Sequence, residues 1–160
     1  DPGHVVTLAN LLARGGYREL SIGDTTGHAV DSDETAKMIK ETRGDTTVPV
    51  AAIMGPLIRD PYLLEQNVLL ALHLHDTHGY AVDSALAALR LGIWRFDSSS
   101  GGIGGCPFAP GAPGNVSTQA LVSAFQAEGV SAGLKLDKLR EAVLLIKPHL
   151  PEHVQGAIQI

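Results

Sequence analysis

Residues 69–97, LLALHLHDTHGYAVDSALAALRLGIWRFD, decide the fold. Residues 69–75 form a short apolar run of strand length. Val82, Ala85, Leu86 and Leu89 then recur at spacings of three and four, which predicts a helix from about Tyr80 to Leu91, stopped by Gly92. The run IWRFD, 93–97, is strand-like again, with Trp94 and Phe96 as expected core residues. Apolar strands alternating with amphipathic helices are the pattern of a parallel sheet covered by helices.

The same alternation extends outward in both directions. Towards the amino terminus, residues 4–14 place Val5, Leu8, Ala9 and Leu12 on one helical face, and Gly15-Gly16 stops the helix. YRELSIG, 17–23, predicts a strand ending in the turn Asp24-Thr25-Thr26-Gly27. A helix is expected from Asp31, with Asp31 as cap and Glu34 at the reciprocal position, ending by Gly44. VPVAAIM, 48–54, reads as a buried strand ended by Gly55-Pro56, and Asp60-Pro61 opens a brief helix. Towards the carboxyl terminus, 98–114 holds six glycines and three prolines and is expected to be a loop. Ser117 caps a helix over 118–128, and a last helix covers 136–147. There is no clear repeat, linker or domain boundary. About four strands are too few for a closed eight-stranded barrel, which takes roughly 250 residues. The sheet is therefore small and open, or part of a barrel.

Composition narrows the function. The chain has 160 residues, 44% hydrophobic and 18% charged, with a formal charge of −5. No basic cluster supports a nucleic-acid or membrane-surface partner. No stretch approaches the roughly 18 uncharged apolar residues of a membrane span. The amino terminus lacks the features of a signal peptide. One cysteine suits a reducing compartment, so a cytoplasmic protein is expected.

Four features carry chemistry. Side chains alternate along a strand, so His73 and His75 point the same way. Two imidazoles at i, i+2 can hold one divalent metal, and Asp76 and Thr77 follow where loops build sites in α/β folds. A pair of half-buried histidines in ordinary hydrogen bonds is the competing reading. Residues 101–105 hold four glycines and lead to Cys106, the only cysteine. Such a loop suits motion or close approach of a ligand, and a thiol near a metal can move protons; a flexible connection with an incidental thiol remains open. Asn115 offers an amide oxygen suited to a hard cation, or is simply a turn residue. Asp24, at the end of its strand, is a site residue or a turn cap. His28 and His78 lie in loops near these motifs and are placed to support them. His4, His149 and His153 are expected at the surface.

Taken together, SIGDTTG (21–27), LHLHDTHGYAVDSALAALRLGI (72–93) and FDSSSGGIGGCPFAPGAPGNVSTQALV (96–122) resemble the carboxyl-terminal half of the 3-hydroxy-3-methylglutaryl-CoA lyase family. These are metal-dependent lyases built on a TIM (β/α)8 barrel. The resemblance covers residues 1–27 and about 69–148. It implies an α/β fold of parallel strands alternating with helices, one partial TIM-barrel lyase domain over 1–160, with an insertion-like segment at about 28–68. It implies that His73, His75 and Asn115 bind Mg2+ or Mn2+, that Cys106 is the catalytic cysteine of a mobile loop, and that Asp24 or His73 is the base. The implied reaction cleaves 3-hydroxy-3-methylglutaryl-CoA to acetyl-CoA and acetoacetate, as in leucine catabolism and ketone-body metabolism. The implied partner is an acyl-CoA.

No segment matches the family's amino-terminal half, which supplies a metal-binding aspartate and a catalytic arginine. A homo-oligomer or a complementing amino-terminal half-barrel is therefore expected, because half a barrel exposes two sheet edges. Three alternatives stay open: a half-barrel without turnover, a related acyl-CoA condensing synthase, and a metal-binding module unconnected with CoA.

Overall fold

The computed structural model describes residues 1–43, 47–105, 114–155 and 158. Helix α1 (Pro2–Arg14) starts where the Asp1 carboxylate accepts the Gly3 amide, and it buries Ala9 and Ala13. Strand β1 follows (Glu19–Asp24), then the two-residue β2 (Ala29–Val30). Helix α2 spans Asp33–Arg43. Its cap differs from the expected Asp31: the Ser32 hydroxyl accepts the Thr35 amide at 3.2 Å. A Ser one residue nearer the first turn does the same work with a shorter side chain.

The expected strand over 48–54 is largely a helix. Only Val48–Pro49 (β3) is extended, pairing in parallel with β2 as a ribbon apart from the main sheet. Val50–Ile58 forms α3. An unbroken apolar run does not reveal its period. In the fold, Val50, Met54 and Leu57 fall at helical spacing and are fully buried. Gly55 and Pro56 lie inside α3 rather than ending it. Helix α4 (Pro61–Glu65) is capped as expected, with the Asp60 carboxylate accepting the Leu63 amide at 3.0 Å. The Leu63 bond first, with lesser hydrogen bonds from the Asn10 side chain and the Tyr62 backbone, holds the Asp60 pKa below its ordinary value despite some desolvation.

Strand β4 (Leu69–Leu74), α5 (Ala81–Arg90) and β5 (Phe96–Asp97) form the expected strand–helix–strand unit. β5 is shorter than the predicted 93–97. The chain first joins the sheet when the Arg95 carbonyl accepts the Leu72 amide. Trp94 therefore stays at the rim, 68% exposed, and is not the core residue expected. Phe96 is half-buried, its ring 5.1 Å from that of Phe125. Helices α6 (Thr118–Ala127), α7 (Leu136–Ile146) and α8 (Glu152–Gln155) complete the described chain. Ser117 caps α6 by accepting the Ala120 amide. No helix of the described residues is long and apolar enough to cross a membrane.

The main sheet is parallel in the order β1-β4-β5, with β4 in the centre. Register assigns its two faces. Leu20, Ile22, Leu70, Leu72, Leu74 and Phe96 face the helices and join the core. Ser21, Gly23, Ala71, His73 and Asp97 share the other face. Ser21, His73 and Asp97 are thus on the side opposite the helix core, whereas Asp24, the register partner of Leu74, ends β1 on the helix-facing side.

The loops at the carboxyl ends of β1 and β4 touch through one glycine. Gly27 has φ +72°, and a Cβ there would lie 2.9 Å from the His75 carbonyl oxygen and 3.0 Å from Thr77 Cβ. Gly27→Ala should therefore lower the unfolding free energy by about 1–3 kcal/mol in urea denaturation. Gly79→Ala, also at positive φ but facing open space, should cost less; an equal or smaller loss at Gly27 would contradict this packing.

Candidate functional site

Beyond β4 the chain stays extended for one more residue. His75 makes an antiparallel bridge with Asn115, and the Val116 amide donates to the Leu74 carbonyl at 3.1 Å. The Asp76 amide donates to the Gly114 carbonyl at 2.8 Å. Directly opposed residues of an antiparallel pair present their side chains on one side. Asn115 therefore stands beside His75. One strand step back, His73 points the same way, and the two rings lie 5.2 Å apart between centroids at 61°. The histidine pair and the asparagine, 40 residues apart in sequence, converge on one patch.

Their surroundings differ. His75 is 8% exposed, and its Nδ1 is buried without a hydrogen-bond partner. Its pKa is lowered, first by desolvation and then by the neighbouring His73; Asp24 and a hydrogen bond to the Thr25 backbone oppose this. Neutral His75 thus carries an orphaned nitrogen facing no protein donor. The Asn115 amide donates through Nδ2 to the Ile103 carbonyl at 3.1 Å, which commits the nitrogen and leaves Oδ1 as its coordinating atom. Gly104, at φ +124°, lets the glycine segment lie against this amide, where a Cβ would collide.

Asp24 sits at the head of β1. Its Oδ1 accepts the His28 amide at 3.0 Å and its Oδ2 the Ala29 amide at 2.8 Å. The carboxylate thereby closes the turn that the sequence predicted, and also lies close enough to His75 to raise its proton affinity. His28 and His78 do meet, edge to face at 4.7 Å, above this turn. His4 and His149 are exposed as expected. Cys106 and residues 107–113 lie outside the described residues.

Sequence reasoning missed Asp97 as part of the site. It is paired in register with His73, its Oδ2 lies 4.0 Å from His73 Nδ1, and that oxygen accepts the Ser21 hydroxyl at 2.5 Å. The i, i+2 alternation that linked His73 and His75 does not reach across strands; only the register of three strands brings Ser21, His73 and Asp97 together.

Donor chemistry supports a cation here. Two imidazoles and an amide oxygen suit a divalent ion of the first transition row or a hard cation. Among the described residues no three His, Cys, Asp or Glu side chains gather as a metal site; in this patch the third donor is an amide. The buried, unpartnered Nδ1 of His75 is the atom that such an ion would satisfy.

The HMGL-like family matches residues 1–146. The chain belongs to the HMGL-like family. It is similar to the hydroxymethylglutaryl-CoA lyase of Pseudomonas mevalonii, 36% identical over 149 residues, 93% of this chain and 43% of that protein. The HMG-CoA lyase structure from Brucella melitensis is similar at TM-score 0.71 and 36% identity, covering 92% of this chain and 45% of that one. An HMG-CoA lyase from Acinetobacter baumannii, solved in complex with coenzyme A and 3-methylmalate, is similar at TM-score 0.63 and 32% identity, covering 95% and 42%. The chain thus spans about two fifths of the length of these relatives. Its parallel strands and helices correspond to part of a TIM barrel, as the resemblance implied. HMGL-like proteins are generally dependent on a divalent metal.

The shift at His75 gives a pH dependence. An unfolded chain binds this proton with the ordinary histidine pKa of about 6.5, and the folded chain binds it less readily. On acidification the unfolded state takes up the proton first, so stability is lost as pH falls through that value. Urea midpoints of the metal-free protein should drop on going below about pH 6.5, and His75→Gln should flatten this part of the profile. An unchanged profile in the variant would contradict the burial argument.

Proposed function

We propose that this chain is the carboxyl-terminal part of a divalent-metal-dependent carbon–carbon lyase that cleaves 3-hydroxy-3-methylglutaryl-CoA to acetyl-CoA and acetoacetate. The observation that carries this reading is the convergence of His73, His75 and Asn115 on one patch of sheet, within a chain of the HMGL-like family. The coenzyme A complex of the Acinetobacter relative supports an acyl-CoA substrate.

The cation would be held by an imidazole nitrogen of His73, by His75 Nδ1 and by Asn115 Oδ1, and Mg2+ or Mn2+ fits this set once a carboxylate outside the chain joins it. When bound, the cation polarises the hydroxyl and a neighbouring oxygen of the substrate. Asp24 is the better placed base, because His73 is committed as a ligand. Its carboxylate is aimed by the His28 and Ala29 amides and keeps further lone pairs to accept the hydroxyl proton. Loss of that proton drives cleavage of the C–C bond and leaves an acetyl-CoA enolate. The Cys106 thiol is the proposed donor of the proton that quenches the enolate carbon, brought in by the glycine segment.

The rest of the barrel is proposed to come from an amino-terminal half, in the same or another chain, or from a second copy. The helix-free face of the sheet and the outer edges of β1 and β5, unpaired among the described residues, are the surfaces it would meet. We read 28–68 as an insertion within one partial barrel domain, and the cytoplasm as its place.

With an amino-terminal barrel half present, the protein should release acetoacetate from 3-hydroxy-3-methylglutaryl-CoA only with Mg2+ or Mn2+. Cys106→Ala should lower kcat by about 100-fold or more, in the range of a lost general acid, while Mn2+ affinity stays unchanged. Turnover that persists in a chelator, or a Cys106→Ala enzyme with full kcat, would sink this reading.

A further inference from the structure

The helix-free face of the sheet carries a row of polar groups, of which Ser21 and Asp97 have no part in the proposed chemistry. Ser21 on β1, His73 on β4 and Asp97 on β5 come from three different strands. His73 and Asp97 are register partners, whereas Ser21 is level with Ala71, one position earlier on the same face. The Asp97 side chain must therefore cross β4 diagonally to reach Ser21. Two small residues make room for it: Ala71 offers only a methyl group, and Gly23, the partner of His73 on β1, offers no side chain. Asp97 Oδ2 accepts the Ser21 hydroxyl at 2.5 Å and lies 4.0 Å from His73 Nδ1. The Ser21 bond fixes one carboxylate oxygen where the imidazole can turn towards it. The next layer down is closed off by a separate pair, Arg95 Nη1 with both carboxylate oxygens of Glu19 at 3.3 Å. That pair engages the Arg95 guanidinium, while Asp97 faces Ser21 and His73.

We propose that Asp97, held by Ser21, is a positioning residue for His73: it keeps the proton on Nδ1 and so presents the unprotonated Nε2 to the site. A histidine that binds a metal through one nitrogen is fixed in tautomer and ring orientation by what the other nitrogen meets. His75 is fixed differently, by burial and by the Thr25 backbone, with Nδ1 as its free atom. The two imidazoles would thus be set by unlike devices and offer opposite ring nitrogens. This assignment rests on the proposed metal role of His73 only for its purpose. The proton position itself belongs to the metal-free chain.

The test uses that independence. Long-range 1H–15N correlation on the histidine-labelled, metal-free protein, above the histidine titration range, reads the tautomer directly. His73 should be the Nδ1–H form, and Asp97→Ala should shift it towards Nε2–H or a mixture. Ser21→Ala, a milder change that keeps the carboxylate, should move it part of the way. In a second measurement, Mn2+ titration should show binding weakened about 10–100-fold in Asp97→Ala, with Asp97→Asn recovering part of the loss because its amide oxygen still accepts the Nδ1 proton. A wild-type His73 protonated on Nε2, or a tautomer unmoved by both Asp97→Ala and Ser21→Ala, would overturn the assignment. A correct tautomer with unaltered Mn2+ affinity would remove its positioning role. Absence of lyase turnover would bear on the proposed reaction and not on the tautomer.

Discussion

The parallel pairing of β4 with β1 on one side and β5 on the other is the constraint on which the site depends. Register at β4 decides which side chains share a face, and a slip of one residue would send both histidines into the helix-facing core. The apolar positions guard against that slip. Leu70, Leu72 and Leu74 alternate with the histidines and pack against the helices, with Leu72 and Leu74 fully or nearly fully buried. The hydrophobic pattern that builds the core is therefore the same pattern that aims His73 and His75 outward. Fold and chemistry are two readings of one alternation.

From that register the remaining parts follow by contact. Extension of the chain past β4 carries His75 to its bridge with Asn115, and the Asp76–Gly114 bond closes the returning segment over it. Gly27 allows the β1 turn to lie against the His75–Thr77 backbone, which places Asp24 beside the pair. Burial is graded across the patch: His75 is nearly covered, and His73 and Asn115 are half-buried. A site of this kind has a dry inner ligand and a wetter outer one, which suits an ion that must admit substrate oxygens from the exposed side.

Much of this was legible in the sequence, for physical reasons that differ by element. α5 was readable because its apolar spacing and its stop agree, and α6 because Ser117 announced its start. The histidine pair was readable because alternation is a local rule. The segment 48–54 was misread as a strand because a continuous apolar run has no visible period, and only burial of Val50, Met54 and Leu57 on one side of a helix settles it. Trp94 was misplaced because the point where a strand joins its sheet is set by the neighbouring strand, not by the run itself. Asp97 escaped because its role arises across three strands. Asn115 entered as a candidate ligand through its amide chemistry and the family resemblance, since no local pattern links it to His75.

The central claim is that the two imidazoles converge on a single cation. It is tested most directly by pulsed electron paramagnetic resonance of Mn2+ bound to the protein with 15N-labelled histidine. The account predicts couplings from two distinct imidazole nitrogens, one of which disappears in His73→Ala and the other in His75→Ala. Coupling to one nitrogen only, or to none with Mn2+ still bound, would contradict it.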